Sequence, residues 1–313
     1  MQRQFVIPVV TAVALALCAL AAAFAQVSPP PAQSPGDASQ PQPLSPTEMK
    51  ARTDLLIANQ HANDDAIQQY EHILHEVDRT GGSAPRILED KTFRVVPTGT
   101  GTLRILLRDN GRPTDPAYYR RQLQAWKDVL ELALRPDDPR AKTAYAKYDK
   151  RKRDRSELVN VVRDAYLQTW EGRETVLGRD CDVVELQPNP NFHPHSMLQE
   201  ALTHFTAKVW VDHDANQLVR GEAHVIRDIS IGGGILGKLY RGGVFSFEQT
   251  PVSQGAWLPR SYQYDFTGRK FLFTFEVHQV VESSQYRRVG PPQEALTLVR
   301  NEIASGKVVQ ADP

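Results

Sequence analysis

The chain has 313 residues, which is enough for one large domain or two. Its 37 basic and 37 acidic side chains balance, so the net charge gives no sign of a nucleic-acid partner. Two cysteines, Cys18 and Cys181, are too few for a disulfide-rich scaffold. We therefore expect an ordinary hydrophobic core, for which a chain of this length has ample material.

The first 25 residues have the pattern of an export signal. Arg3 is followed by an apolar run from Phe5 to Leu20, and Ala23-Phe24-Ala25 forms an A-x-A cleavage site. A single membrane anchor is the alternative, but the run is short and no basic stop-transfer flank follows it. We predict cleavage after Ala25, a periplasmic mature chain, and no membrane span after cleavage.

The two cysteines differ in their surroundings. Lipidation at Cys18 is the alternative to ordinary cleavage, but Leu17 stands where a lipoprotein signal needs a small residue. Loss of Cys18 would leave Cys181 alone, without an intramolecular disulfide. Cys181 alternates with Asp180 and Asp182, so we predict a buried strand residue whose thiol pKa is raised by the carboxylates.

Order is predicted to begin at Ser45. Residues 26–44 are rich in Pro, Ser and Gln and are interpreted as a disordered linker. Ser45 and Glu48 have the spacing of a capping box, which predicts a helix start. From Gln69 to Arg79 the periodicity favours a continued helix, with a strand as the alternative.

The next part of the chain contains two predicted strands and a helical insertion. Residues 86–96 and 102–107 have the composition of strands around a Gly-containing turn. The insertion, 115–155, holds two helices, and the second carries the basic run 147–155. A run of this kind is either a solvated helix face or a contact for lipid phosphate or an acidic partner.

From Val161 onward nearly all of the chain is predicted to be strand and turn. The clearest signal is a hairpin over 205–227, where two alternating runs flank the polar turn Asp212–Asn216. Successive neighbouring strands favour an antiparallel meander. Residues 291–313 are predicted to form a C-terminal tail with a short helix over 292–304.

Two motifs could indicate chemistry, and both have a simpler explanation. Residues 232–237 match the dinucleotide spacing G-x-G-x-x-G, but strand-like sequence resumes at once, so we predict a turn or bulge. His193 and His195 lie in Pro- and Asn-rich sequence and are interpreted as loop residues. Since a G-x-S-x-G elbow is also lacking, we predict no catalytic residue, no metal site and no cofactor, and no enzymatic activity.

The aromatic residues of the C-terminal strands recur with a period of two and share sheet faces, while polar residues alternate with them. This pattern is typical of an ordinary core packed under helices. It is equally consistent with a face that helices cover incompletely, which would leave an apolar pocket. The candidates for lining such a pocket are Trp126, Phe245, Phe247, Tyr262, Tyr264, Phe266, Phe271, Phe273 and Phe275.

Three stretches together resemble a known family. They are GRDCDVVELQPNPNF, AKVWVDHDANQLVRGEA and FEQTPVSQGAWLPRSYQY, and the likeness covers about Tyr70 to Tyr286. In layout they are similar to the outer-membrane lipoprotein-sorting (lipoprotein carrier, LolA-like) superfamily. The resemblance implies an α+β fold, a curled antiparallel sheet forming an open half-barrel meander with helices packed on its concave face, and a single domain over 45–290. It also favours the strand at 69–79.

The resemblance further implies a function. We expect a non-enzymatic periplasmic binder or carrier of a hydrophobic ligand, either a lipid or the acyl chain of an acylated protein. The alternative is a sensor or regulatory module that contacts an envelope protein. The carriers of this superfamily have a lid-locking arginine, and the sequence alone does not assign that role to any residue of this chain.

Overall fold

The computed structural model describes residues 44–231, 237–253 and 255–306. The predicted signal peptide, nearly all of the predicted linker and residues 232–236 of the Gly-rich stretch lie outside these ranges. The helices are α1 (Pro46–Ala66), α2 (Pro116–Ala133), α3 (Pro139–Ala165), α4 (Met197–Leu202) and α5 (Pro292–Ser305). A single 3₁₀ turn, Ile67–Gln69, follows α1. No helix in the described ranges combines the length and the apolar character needed to cross a membrane.

The strands run from β1 to β13 in the described part of the chain. They are β1 (Tyr70–Arg79), β2 (Ile87–Pro97), β3 (Thr102–Asp109), β4 (Arg112–Pro113), β5 (Tyr166–Val176), β6 (Arg179–Pro188), β7 (Phe205–Asp212), β8 (Leu218–Val225), β9 (Ile229–Ile231), β10 (Gly237–Leu239), β11 (Val244–Pro251), β12 (Trp257–Lys270) and β13 (Phe273–Arg288).

All of these strands belong to one open antiparallel sheet. Its order is β4-β3-β2-β1-β13-β12-β11-β8-β7-β6-β5, and the short pair β9–β10 attaches to β12. Most neighbours in the sheet are also neighbours in sequence, as in a meander. The predicted α+β fold built on an open antiparallel sheet is confirmed.

The start of α1 follows the predicted capping box. The Ser45 hydroxyl accepts from the Glu48 amide at 3.3 Å, and the Glu48 carboxylate accepts from the Ser45 amide at 2.9 Å. Each side chain thus satisfies a backbone donor that the helix leaves without a partner.

Residues 70–79 form the strand that the resemblance favours, and not the continued helix that the local periodicity favours, while Gln69 belongs to the 3₁₀ turn. β1 pairs antiparallel with β2 on one side and with β13 on the other. A strand with neighbours on both sides satisfies its backbone hydrogen bonds as fully as a helix does. Tertiary pairing therefore overrides the local periodicity here.

The chain divides into two compact units. Among the described residues, the first unit contains 44–61, 155–231, 237–249 and 265–275, and the second contains 62–154, 250–253, 255–264 and 276–306. In the first unit, residues of α1 lie over β6 and β7, and Arg52 of α1 binds Asp182 of β6 at 2.8 Å. α1 also contacts α3, where Arg163 binds Asp54 at 3.0 Å.

The second unit has its own core between two helices and a sheet face. α2 and α5 contribute most of it, and β2 and β3 supply the facing aliphatic side chains. The buried members are Val96, Ile105, Leu107, Tyr119, Leu123, Trp126, Leu130, Val289, Ala295, Leu296 and Val299. The predicted C-terminal helix is therefore part of a core.

Cys181 is a buried residue of the strand β6, as predicted. Burial, together with the nearby charges of Asp212 and Asp180, raises the pKa of its thiol to about 11. The thiol is accordingly protonated and inert at neutral pH.

Candidate functional site

The predicted aromatic residues of the first unit pack against glycines. Phe245, Phe247 and Phe266 are buried. The Phe247 ring lies so close to Gly221 that a Cβ atom there would be 2.2 Å from it. A Cβ atom at Gly243 would lie 2.4 Å from Phe266 in the same way. The rings fill the space that glycine leaves on the sheet, so these residues are packed into the core.

The remaining phenylalanines lie at the β12–β13 hairpin. Phe275 is half-buried, and its ring lies 2.6 Å from the position a Cβ atom would take at Gly268. Phe271 and Phe273 are exposed at the tip of the hairpin. The structure therefore does not bring Phe271 and Phe273 together with the buried rings in an interior.

Tyr262 and Tyr264 belong to the second unit and lie side by side, with ring centroids 6.3 Å apart. They pack against a small cluster formed by Leu74, Val95 and Val281. Val95 lies between Arg94 and Val96 of β2, which both face the helices α2 and α5. Because side chains alternate along a strand, the tyrosines contact the sheet face opposite these helices.

Trp126 is completely buried in the core of the second unit. Its indole Nε1 donates to the Pro97 carbonyl oxygen at 2.8 Å, so the polar atom of the ring is satisfied. The neighbours of this candidate lining residue on the sheet are the aliphatic residues Val96, Ile105 and Leu107. The spacing of its apolar residues predicts that α2 packs one side on the sheet. It does not specify which face of the sheet that side covers.

The buried Arg94 connects the helices α2 and α5 to the sheet face that they cover. Arg94 of β2 donates from Nε and Nη2 to Glu71 of β1, at 3.0 and 2.7 Å. Its Nη1 donates to the Tyr119 hydroxyl of α2 at 2.9 Å and to Glu302 of α5 at 2.7 Å. The Tyr119 hydroxyl itself donates to Glu302 at 2.9 Å. We call Arg94, Glu71, Tyr119 and Glu302, together with the exposed Arg287 that binds Glu71, the buried latch.

The charges of the buried latch balance. Arg287 donates to the second oxygen of Glu71 at 2.6 Å, so two cations face two carboxylates. Burial opposes the charged form of Arg94, but the hydrogen bond to Glu302 and the charge of Glu71 outweigh it and raise the pKa of Arg94. Burial likewise raises the pKa of Tyr119 to about 12, so its hydroxyl keeps its proton. Arg94 also lies 5.3 Å from the centroid of the Trp126 ring.

The same two helices are joined a second time at the surface. Arg300 of α5 donates to Glu131 of α2 at 2.8 Å, and Lys127 approaches the same carboxylate at 3.4 Å. This outer ion pair is solvated and contributes little to stability. It therefore provides a comparison for the buried latch.

Other clusters give weaker indications of a site. A small space of about 20 Å³ lies between α1 and β5–β7, where Thr53, Gln168 and Asn216 each have a polar atom without a protein partner. This volume suits one water molecule. His193 and His195 lie in a loop, as predicted. Within the described ranges, the structure does not group three metal-binding side chains.

Sequence reasoning did not identify the buried latch. Its only local signal is a charge inside the apolar run Phe93-Arg94-Val95-Val96, at a position that faces the core. The partners Glu71, Tyr119 and Glu302 are 23, 25 and 208 residues away. Nothing in the sequence links these positions.

No protein-family model and no curated protein matches this chain. It is similar to a protein described as an outer membrane lipoprotein-sorting domain from Vibrio parahaemolyticus, with 10% identity over 78% of this chain and 97% of the other, at a TM-score of 0.33. A LolA superfamily protein from Nitrosomonas europaea also matches, with 10% identity over 76% and 94% and a TM-score of 0.29.

A DUF1329 family protein from Desulfovibrio piger matches at 15% identity, over 76% of this chain and 92% of the other, with a TM-score of 0.27. Two of the three structures thus carry the name of the superfamily that the sequence resembles. At TM-scores of 0.33 or less, nothing about the ligand of this chain follows from them.

Proposed function

We propose that this protein is a non-enzymatic, periplasmic binder or carrier of a hydrophobic ligand, a lipid or the acyl chain of an acylated protein. The ligand would lie on the aliphatic sheet face that α2 and α5 cover. The observation that carries the proposal is the buried latch, which joins both helices to that face through one arginine. The helices would then act as a lid that the buried latch holds against the sheet.

An acyl chain suits the chemistry of this face. The side chains that α2 and α5 place on it are largely aliphatic, so a ligand that replaces them must be apolar. Each methylene buried there contributes about 0.8 kcal/mol, before the cost of ordering the ligand. A polar ligand would bury its own polar groups on this face without hydrogen-bond partners.

Arg94 is our proposed counterpart of the lid-locking arginine that the resemblance implies. It is suited to this role because an arginine can bind a carboxylate on the sheet and groups on two helices at once. Opening the lid separates Arg94 from Tyr119 and Glu302, while Arg94 keeps Glu71. Water entering with the open state would hydrate the groups that are released.

The test compares two variants that each weaken one α2–α5 connection. Glu302→Gln removes a charge from the buried latch, and Glu131→Gln removes one from the outer ion pair. Loss of a charged hydrogen bond shifts the closed-to-open equilibrium by about 1.5–3 kcal/mol, and each 1.4 kcal/mol is about tenfold in affinity. We expect Glu302→Gln to bind a fluorescent fatty acid at least several-fold more tightly than wild type, and Glu131→Gln to match wild type.

Lipid that co-purifies with the wild-type chain, detected by native mass spectrometry, would support the proposal independently. Equal binding by both variants and wild type would place the ligand elsewhere. If wild type binds no fatty acid and carries no lipid, the carrier proposal fails. An envelope sensor or regulatory module that contacts another protein then becomes the better explanation.

A further inference from the structure

The end of the β12–β13 hairpin, which lies in the first unit, has three consecutive apolar side chains. Phe271 is 51% exposed, Leu272 is 88% exposed and Phe273 is 67% exposed. Single exposed apolar residues are common on protein surfaces, but three in a row at a projecting turn are not. We call residues 271–273 the hairpin tip.

The backbone conformation at the hairpin tip is unusual for an aromatic residue. Phe271 has a φ of 52°, in the left-handed region that glycine and asparagine adopt readily. A bulky aromatic residue at this position is strained, and its exposed ring gains little packing in return. Because the exposed Phe271 ring contributes little packing, its strained backbone points to a function of the ring itself.

Basic side chains lie directly behind the hairpin tip. Lys270 and Arg269 are the last residues of β12, and Lys238 of β10 lies opposite Arg269 in the sheet register. Lys238 binds Asp228 at 2.8 Å, and Arg269 and Lys270 also interact with neighbouring groups of the protein. An apolar tip with a positively charged base has the charge pattern of a segment that enters an anionic membrane surface.

We propose that the hairpin tip docks this protein on a lipid bilayer containing anionic headgroups. Phe271, Leu272 and Phe273 would enter the boundary between headgroups and acyl chains, while Arg269, Lys270 and Lys238 lie at the phosphates. A protein partner fits less well, because three side chains expose only a few hundred Å², on the order of half of what one partner buries in a stable interface.

This proposal does not depend on the proposed function. Docking through the hairpin tip requires neither a ligand under α2 and α5 nor any movement of the buried latch. The two proposals use different residues in different units. Their tests therefore fail separately.

The test measures vesicle flotation of the chain purified from the periplasmic fraction. Vesicles contain phosphatidylethanolamine and phosphatidylglycerol, or phosphatidylcholine alone. The tip variant combines Phe271→Asn, Leu272→Ser and Phe273→Thr. Asn and Ser are favourable in a turn, and Thr is favourable at the start of a strand. The control is Leu177→Asn, since Leu177 is an exposed apolar residue at φ 53° in the β5–β6 turn.

We expect wild type and Leu177→Asn to float equally with anionic vesicles, and the tip variant to lose about tenfold or more of the bound fraction. A second variant, Arg269→Gln with Lys270→Gln, should weaken binding to anionic vesicles several-fold and leave binding to phosphatidylcholine unchanged. Melting curves confirm that each variant is folded.

Two results would overturn the proposal. The first is wild-type chain that floats with neither kind of vesicle. The second is a folded tip variant that floats as well as wild type, which would show that another part of the chain contacts lipid. Wild-type pull-down of a single envelope protein that the tip variant loses, without vesicle binding, would assign the tip to a protein partner instead.

Discussion

Arg94 is a full positive charge inside an otherwise apolar core. A charge of this kind is expensive to bury unless it is paired and hydrogen-bonded, and here Glu71 and Glu302 meet both conditions. Buried ion pairs add little net stability, but breaking one strongly destabilises the arrangement that contains it. We therefore propose that Arg94 specifies one placement of α2 and α5 on the sheet.

At the same scale, Trp126 should be a major contributor to stability. Trp126→Ala is expected to lower the free energy of unfolding by about 3–5 kcal/mol, because it removes a completely buried ring. Trp126→Phe keeps most of the apolar contact but leaves the Pro97 carbonyl without its donor, and should cost about 1–3 kcal/mol.

Urea denaturation measures both Trp126 variants, with Val129→Ala as a control for a partly exposed position on the same helix. A Trp126→Ala chain within about 0.5 kcal/mol of wild type would show that α2 does not bury this residue in solution.

Among the elements, β8 shows how a buried aromatic ring packs against a glycine of the sheet. Gly221 in this strand lies opposite Phe247 of β11, and the ring occupies the space above the glycine. Gly243 with Phe266 and Gly268 with Phe275 repeat the arrangement. Glycine weakens a strand, and a ring that covers it restores contact area.

Gly221→Ala should therefore be destabilising, although alanine is usually the better strand residue. We expect a loss of about 1–3 kcal/mol, because the new methyl group would meet the Phe247 ring. Phe247→Leu in the same chain should relieve the clash, so the double variant should lose less than the sum of the two single variants.

A urea-denaturation cycle over the four chains gives the interaction energy of this pair directly. Strict additivity would mean that the ring does not lie over Gly221. The single variant Phe247→Leu is the matched reference, since it changes the ring and leaves the glycine in place.

At the scale of the whole molecule, the predicted signal cleavage decides which cysteine remains in the mature protein. The predicted cleavage after Ala25 removes Cys18, and the other cysteine, Cys181, is buried. The mature protein would then have no disulfide and no reactive thiol, which suits an oxidising compartment.

Thiol titration of the exported chain with Ellman's reagent tests both statements. We expect almost no reaction in the native state, since burial raises the pKa of the Cys181 thiol to about 11. In denaturant we expect one thiol per chain, and intact-mass analysis should place the N-terminus at Gln26. A second thiol would mean an uncleaved signal, and a diacylated Cys18 would mean lipoprotein processing.

Sequence alone determined the features that depend on neighbouring residues. The Ser45–Glu48 cap, the hairpin over 205–227, the helix at the C-terminus and the buried Cys181 strand all follow from short spacings, because caps, turns and alternation act within a few residues. The sheet class followed from the succession of such strands.

Tertiary structure decided everything that depends on which face covers which. Residues 70–79 form a strand because β13, some two hundred residues later, pairs with them. Phenylalanines at every second position of a strand place their rings on one face of the sheet. Only the tertiary structure shows that glycines lie beneath these rings. Arg94 became a candidate site residue only when β1, α2 and α5 brought their partners together, since burial and charge pairing are properties of packed surfaces.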